Sequence, residues 1–202
     1  MYTKRASNRG VTLVELVVFI VVVSVALAGV LKTLEVVTRG SADPLIRKQA
    51  LAIAESLLSE IEQQPFTYCD PNDVNATTAT STAGCTGGIA GSQDANGGSF
   101  TGPTPASESR YSLTDPLDNV ADYGGFKMPD INCSGICNVG DPTPLAGLGA
   151  YTAAVTITRA GNAAPFATLP LDAVLKISVQ VTGPANTNIT LTGYRFRYAP
   201  NI

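Results

Sequence analysis

The strongest pattern in the chain runs from Val11 to Leu31, VTLVELVVFIVVVSVALAGVL, where only Thr12, Glu15, Ser24 and Gly29 are not plainly apolar. As a helix this stretch rises about 30 Å, the thickness of one bilayer core. Apolar positions then thin to helical spacing. Ile46, Ala50, Ile53, Leu57 and Ile61 recur along one face, and Ala54 and Leu58 widen it. Arg47, Lys48, Glu55, Ser59, Glu60 and Glu62 fall mostly off that face. Between the two segments, Gly40-Ser41-Ala42-Asp43-Pro44 predicts a break. Pro44 cannot donate a backbone hydrogen bond, and Asp43 can cap a restarted helix with Pro44 at its first position. Pro65 ends the element.

Strand patterning comes late. Tyr151, Ala153, Val155 and Ile157 alternate with threonines, and Leu175, Ile177, Val179 and Val181 alternate with Lys176, Ser178 and Gln180. After the turn-rich Gly183 to Asn188, a third strand starts with Ile189 and Leu191. Its apolar phase then switches to Tyr194, Phe196 and Tyr198, which predicts a bulge near Gly193. Three antiparallel strands laid on the amphipathic helix give an α+β domain. From Asp70 to Arg110, by contrast, Gly, Ser, Thr, Pro and Asn supply 25 of 41 residues, which reads as a long surface loop or insertion.

Composition narrows the function more than the fold. The 202 residues include 13 Lys+Arg, 16 Asp+Glu, four Cys, no His and no Trp. Without histidine, imidazole-based triads and His-ligated metal sites are excluded, and a net charge of -3 offers no basic field for nucleic acid. No nucleophile has a base beside it in sequence. Asp115, Asp118, Asp122 and Asp130 read as loop solubilisers, so the expectation is a non-enzymatic protein without a cofactor. Asp70, Asn72 and Asp73 are spaced like part of a calcium loop. They lack the Gly and the bidentate Glu at the required offsets, so turn chemistry is the preferred reading and no metal site is expected.

Lys4, Arg5 and Arg9 all precede the apolar run, which keeps the N-terminus cytoplasmic and exports everything after Leu31. Glu15 is the anomaly, because a carboxylate in mid-membrane costs about 2.5–3.5 kcal/mol and marks function. It lies four residues after Val11. A cut between Gly10 and Val11 would place a new amine one helical turn from it, on the same face. A competing cut exists at Ala26-Leu27-Ala28, as in a secretory signal peptide, and would leave a mature chain beginning at Gly29.

Gly10-Val11-Thr12-Leu13-Val14-Glu15, behind a short basic leader and ahead of an apolar anchor, resembles the class III signal of type IV prepilins, the family of pilins and type II secretion pseudopilins. The resemblance implies cleavage after Gly10 by a membrane prepilin peptidase, N-methylation of Val11, and docking of Glu15 into a growing filament. Partners would be other pilin subunits and the inner-membrane assembly platform. Val11 stands where the family usually has Phe, and the anchor lacks the proline common in major pilins. Asp122-Tyr123-Gly124-Gly125-Phe126 and the segment from Ile189 to Pro200 resemble minor pilins of the mannose-sensitive haemagglutinin (MSHA) pilus.

The chain divides on this reading into a leader (1–10), a transmembrane or filament-core helix (11–31), an amphipathic helix (32–65), a loop-rich region (66–150) and a β-sheet (151–202). Residues 45–202 form one head. Cys69, Cys85, Cys133 and Cys137 all follow the anchor and so face an oxidising compartment. Of three possible pairings, Cys69–Cys85 with Cys133–Cys137 is the simplest. A zinc site built from all four cysteines is disfavoured by the lack of a second close pair. A minor pilin of an extended pilus, a secretion pseudopilin and an adhesive module on a pilin stalk stay open as functions. The location is the inner membrane first and the assembled fibre afterwards.

Overall fold

A computed structural model describes residues 12–93 and 100–197. Backbone clustering divides the chain into two compact units between Leu45 and Ile46. One helix, α1, runs Leu13–Gln63 and contributes to both. The break expected at Gly40–Pro44 does not end it, since the helix is continuous with Pro44 inside. Helical hydrogen bonding on both sides carries the chain through a position where the Gly40 carbonyl loses its partner four residues on.

Within the second unit, α1 and an antiparallel meander enclose the core. The strands are β1 (Lys127–Met128), β2 (Thr152–Arg159), β3 (Val174–Gly183) and β4 (Thr187–Phe196), in spatial order β1-β2-β3-β4. The fold class is α+β. Ala50, Ile53, Ala54, Leu57 and Ile61 are all buried from the helix side. Ala153, Val155 and Ile157 meet them from β2, and Leu175, Ile177, Val179 and Val181 from β3. The period-2 pattern that predicts these strands is therefore the pattern of burial.

β4 corrects the sequence reading. Its pairing to β3 is unbroken from Gly183–Thr187 to Val174–Phe196, and Ile177 faces Gly193 in register, so there is no bulge. Gly193 points inward, where a Cβ would overlap the Glu62 carboxylate and lie 3.1 Å from Leu58 Cδ1. The glycine lets α1 approach the sheet. Tyr194 and Phe196 occupy the opposite face and pack edge-on against Phe166, with ring centroids 5.0 and 5.1 Å apart. The aromatic phase switch marks a satellite cluster on the outer face.

The long connection between α1 and β2 contains β1 and short 3-10 turns, and two disulfides anchor it. Cys69–Cys85 closes a 16-residue separation and forms a small apolar cluster with Ala76 and Ala79. Cys133–Cys137 spans four residues and packs with Tyr111 and the half-buried Phe126.

Candidate functional site

The N-terminal half of α1 begins with a cap. Thr12 Oγ1 accepts from the Glu15 N–H at 3.3 Å, and the Thr12 carbonyl accepts from the Leu16 N–H at 3.1 Å. Thr12-Leu13-Val14-Glu15 has capping-box spacing, so Glu15 occupies the first turn, where the helix dipole favours a carboxylate. The sequence carried this signal, but the depth of Glu15 in the apolar run overshadows it. Farther along, the Ser24 hydroxyl donates to the Ile20 carbonyl at 2.7 Å, and Thr33 donates to Gly29 at 2.9 Å. These two hydroxyls are satisfied by their own helix, as a lipid environment requires. Lys32 and Glu35 pair at 3.1 Å. Glu15 has no partner for its carboxylate among the described residues.

Leu13–Glu35 is long and apolar enough to cross a membrane, and its apolar window is unburied among the described residues. Gly10 and Val11 lie outside the described residues. Residues 5–31 match the family model for the prokaryotic N-terminal methylation motif. The chain thus carries a class III signal of the type IV pilin-like kind, whose family is structural rather than enzymatic. That signal fits a membrane-anchored subunit processed by prepilin peptidase and assembled with other pilins. No curated protein and no solved structure matches the chain.

Farther along α1, Glu60 departs from the solvent position that its helical spacing predicts. Arg110 grips it through two parallel bonds, Nε to Oε1 and Nη2 to Oε2, both 2.7 Å. The Tyr123 hydroxyl donates to Oε1 at 2.8 Å, and Arg110 Nη1 donates to the Cys137 carbonyl at 2.8 Å. Arg110 thus ties the helix to the Cys133–Cys137 loop. Burial alone would lower the Arg110 pKa, but the hydrogen bonds and charge of Glu60 raise it. Sequence gives no hint of this pair, because 50 residues separate its members.

A second group of acids gathers beside the Cys69–Cys85 loop. Asp70, Glu108 and Asp118 offer carboxylate oxygens that all lie within 4.8 Å of one another. Asp70 Oδ1 accepts from the Asn72 N–H, and Asp118 Oδ2 accepts from Asn72 Nδ2 at 2.9 Å. The other oxygens, Asp70 Oδ2, Asp118 Oδ1 and both of Glu108, are buried without a hydrogen-bond partner. Asp122 borders the group. It is 1 % exposed and held by the N–H groups of Asn119 (2.7 Å) and Thr104 (3.2 Å).

Electrostatics follow from that crowding. Burial pushes Asp118 up to about 6, with the Asp70 charge adding to it. Glu108 rises well above the usual carboxylate range, first by burial, then through its contact with Asp70 and the charges of Asp122 and Asp118. Asp122 rises by burial, against the backbone hydrogen bonds that favour its charge.

The solubiliser reading of Asp118 and Asp122 is therefore corrected. Asp73, from the suspected calcium loop, does make turn chemistry. It accepts from the Asn75 N–H at 2.8 Å and the Thr86 N–H at 2.8 Å.

Proposed function

We propose that this chain is a structural subunit of a type IV pilus-like filament, cleaved after Gly10, methylated at Val11 and docked through Glu15. The observation that carries the reading is one coincidence: the methylation motif at 5–31 overlies an apolar helix, Leu13–Glu35, whose apolar window is unburied among the described residues. An unburied surface of that kind needs lipid or other helices around it. Before assembly the chain spans the inner membrane once, N-terminus cytoplasmic. The leader (1–10), anchor (11–31), amphipathic helix (32–65), loop-rich region (66–150) and sheet (151–202) are the working parts, with 45–202 as the head. Its partners are other pilins, prepilin peptidase and the assembly platform. It is neither an enzyme nor a nucleic-acid binder.

Within that class the reading favours a minor pilin, specifically one like minor pilin D of the MSHA pilus. The supporting segments are Asp122–Phe126 and the chain around β4. Asp122 and Tyr123 are buried and β4 pairs along its length, so the likeness lies in framework residues. A type II secretion pseudopilin is the alternative. Cross-linking from the anchor in native membranes decides by the identity of the neighbours, pilus subunits or pseudopilus subunits.

The direct test is mass analysis of the mature N-terminus. A methylated Val11, lost in cells lacking prepilin peptidase, is the expected result. A chain starting at Gly29 would overturn the proposal.

A further inference from the structure

The acid group beside the Cys69–Cys85 loop presents a physical problem that its own chain does not solve. Glu108 is 6 % exposed and Asp70 7 % exposed, yet four carboxylate oxygens in the group have no donor. A buried, unpartnered carboxylate is strongly unfavourable, and three in one place repel as well. Two remedies are available to a folded chain. A proton can be taken up between Glu108 and Asp70, or a cation can be bound among all three.

Geometry favours the cation. Glu108, more than nine-tenths buried, has both oxygens without a donor, and one carboxylate oxygen from each of Asp70, Glu108 and Asp118 lies within 4.8 Å of the other two. Two oxygens on opposite sides of a calcium ion stand about 4.8 Å apart, since each lies roughly 2.4 Å from the metal. A proton shared by Glu108 and Asp70 would leave Asp118 Oδ1 unanswered. Asn72 engages one oxygen of Asp70 and one of Asp118, which leaves Asp70 Oδ2 and Asp118 Oδ1 without a donor.

The supports are independent of the acids. Cys69, next to Asp70, is bonded to Cys85. Asn119, next to Asp118, is fully buried, makes a capping box with Asp122, and donates to Thr67 at 2.8 Å.

We propose that Asp70, Glu108 and Asp118 bind one calcium ion, with Asp70 Oδ2, Asp118 Oδ1 and the two Glu108 oxygens as its protein ligands. All-oxygen donors on irregular loops suit calcium. Magnesium demands a tighter octahedron and keeps more of its water. This departs from the sequence expectation of no metal, and it stands whether or not the chain enters a filament. Ligands separated by 38 and 10 positions form no linear motif.

The test uses the full chain, solubilised in detergent and stripped with a chelator. Calorimetric titration with calcium chloride should show one ion per chain. At about 100-fold saturation the melting temperature should rise by about 5–10 °C. Glu108→Gln and Asp118→Asn should each weaken binding at least about tenfold. Glu108→Gln without calcium should melt no lower than the stripped wild type, because it replaces a carboxyl whose charged form burial already disfavours. That control shows that the variant folds.

No binding at millimolar calcium, with unchanged melting, would overturn the site in favour of the shared proton. A calcium shift that persists in both variants would place the ion elsewhere and equally overturn it. A magnesium shift as large as that of calcium would overturn the assignment to calcium.

Discussion

Two carboxylates of α1, Glu60 in its second half and Glu15 in its first, are treated in opposite ways. In the second half, Glu60 is met within its own chain by Arg110 and Tyr123, at 2.7–2.8 Å. In the first half, Ser24 and Thr33 turn back onto the helix backbone, and the Glu15 carboxylate meets none of the described residues. The apolar side chains divide the same way. Leu57 and Ile61 are buried against the sheet, whereas the apolar side chains from Leu13 to Leu34 are exposed among the described residues. On the proposals above, the unburied anchor side chains meet lipid or another subunit, and the acid group meets an ion.

The sharpest way to break this contrast is at Arg110. Its side chain is 5 % exposed and that of Glu60 is 16 % exposed. Arg110→Ala should destabilise the head by about 3–5 kcal/mol, because it strands a desolvated carboxylate. Denaturant unfolding of the full chain measures this. A loss below about 1 kcal/mol would mean that Glu60 rehydrates, and that the internal half is not closed as described.

The next effect is covalent. Removing the Cys69–Cys85 bond with a double Cys→Ala replacement should cost about 3 kcal/mol, from the loop of 16 positions that it closes. The four-residue Cys133–Cys137 link closes a shorter loop and should cost less. Peptide mapping without reductant checks the pairing itself. Recovery of Cys69 joined to Cys133 or Cys137 would refute it.

Much of the internal half was legible because burial there follows local periods. The stripe from Ile46 to Ile61 and the alternation at Ala153–Ile157 and Leu175–Val181 needed only the 3.6 and 2.0 repeats. Features that join distant positions were not legible. Arg110 reaches Glu60 across 50 residues, and Asp70 meets Glu108 and Asp118 from another loop. β1, only two residues long, has no period to show. At Gly193 the pattern misled. An inward glycine for helix approach, followed by outward aromatics, reads in sequence like a change of phase. At Pro44 a local breaker was overridden by helix on both sides. For the candidate assembly site the order is reversed. Glu15 stands out in sequence because it violates its surroundings, and no partner among the described residues explains it away.

The smallest expected effects on stability lie at that end, and they sharpen the contrast most. Thr12→Ala removes the hydroxyl that accepts from the Glu15 N–H, and should weaken the helix start by about 1 kcal/mol. Glu15→Gln keeps a residue suited to the third position of a capping box and removes only the charge. Its effect on unfolding of the full chain should stay within about 0.5 kcal/mol. Its effect on assembly should be large, because a neighbouring amine would lose the carboxylate that neutralises it inside an apolar bundle. Quantifying the subunit in sheared filaments against membranes separates the two readouts. Normal stability with lost incorporation assigns Glu15 to the contact between subunits. Normal incorporation of Glu15→Gln would reduce Glu15 to a helix-capping residue and remove the charge from the account of assembly.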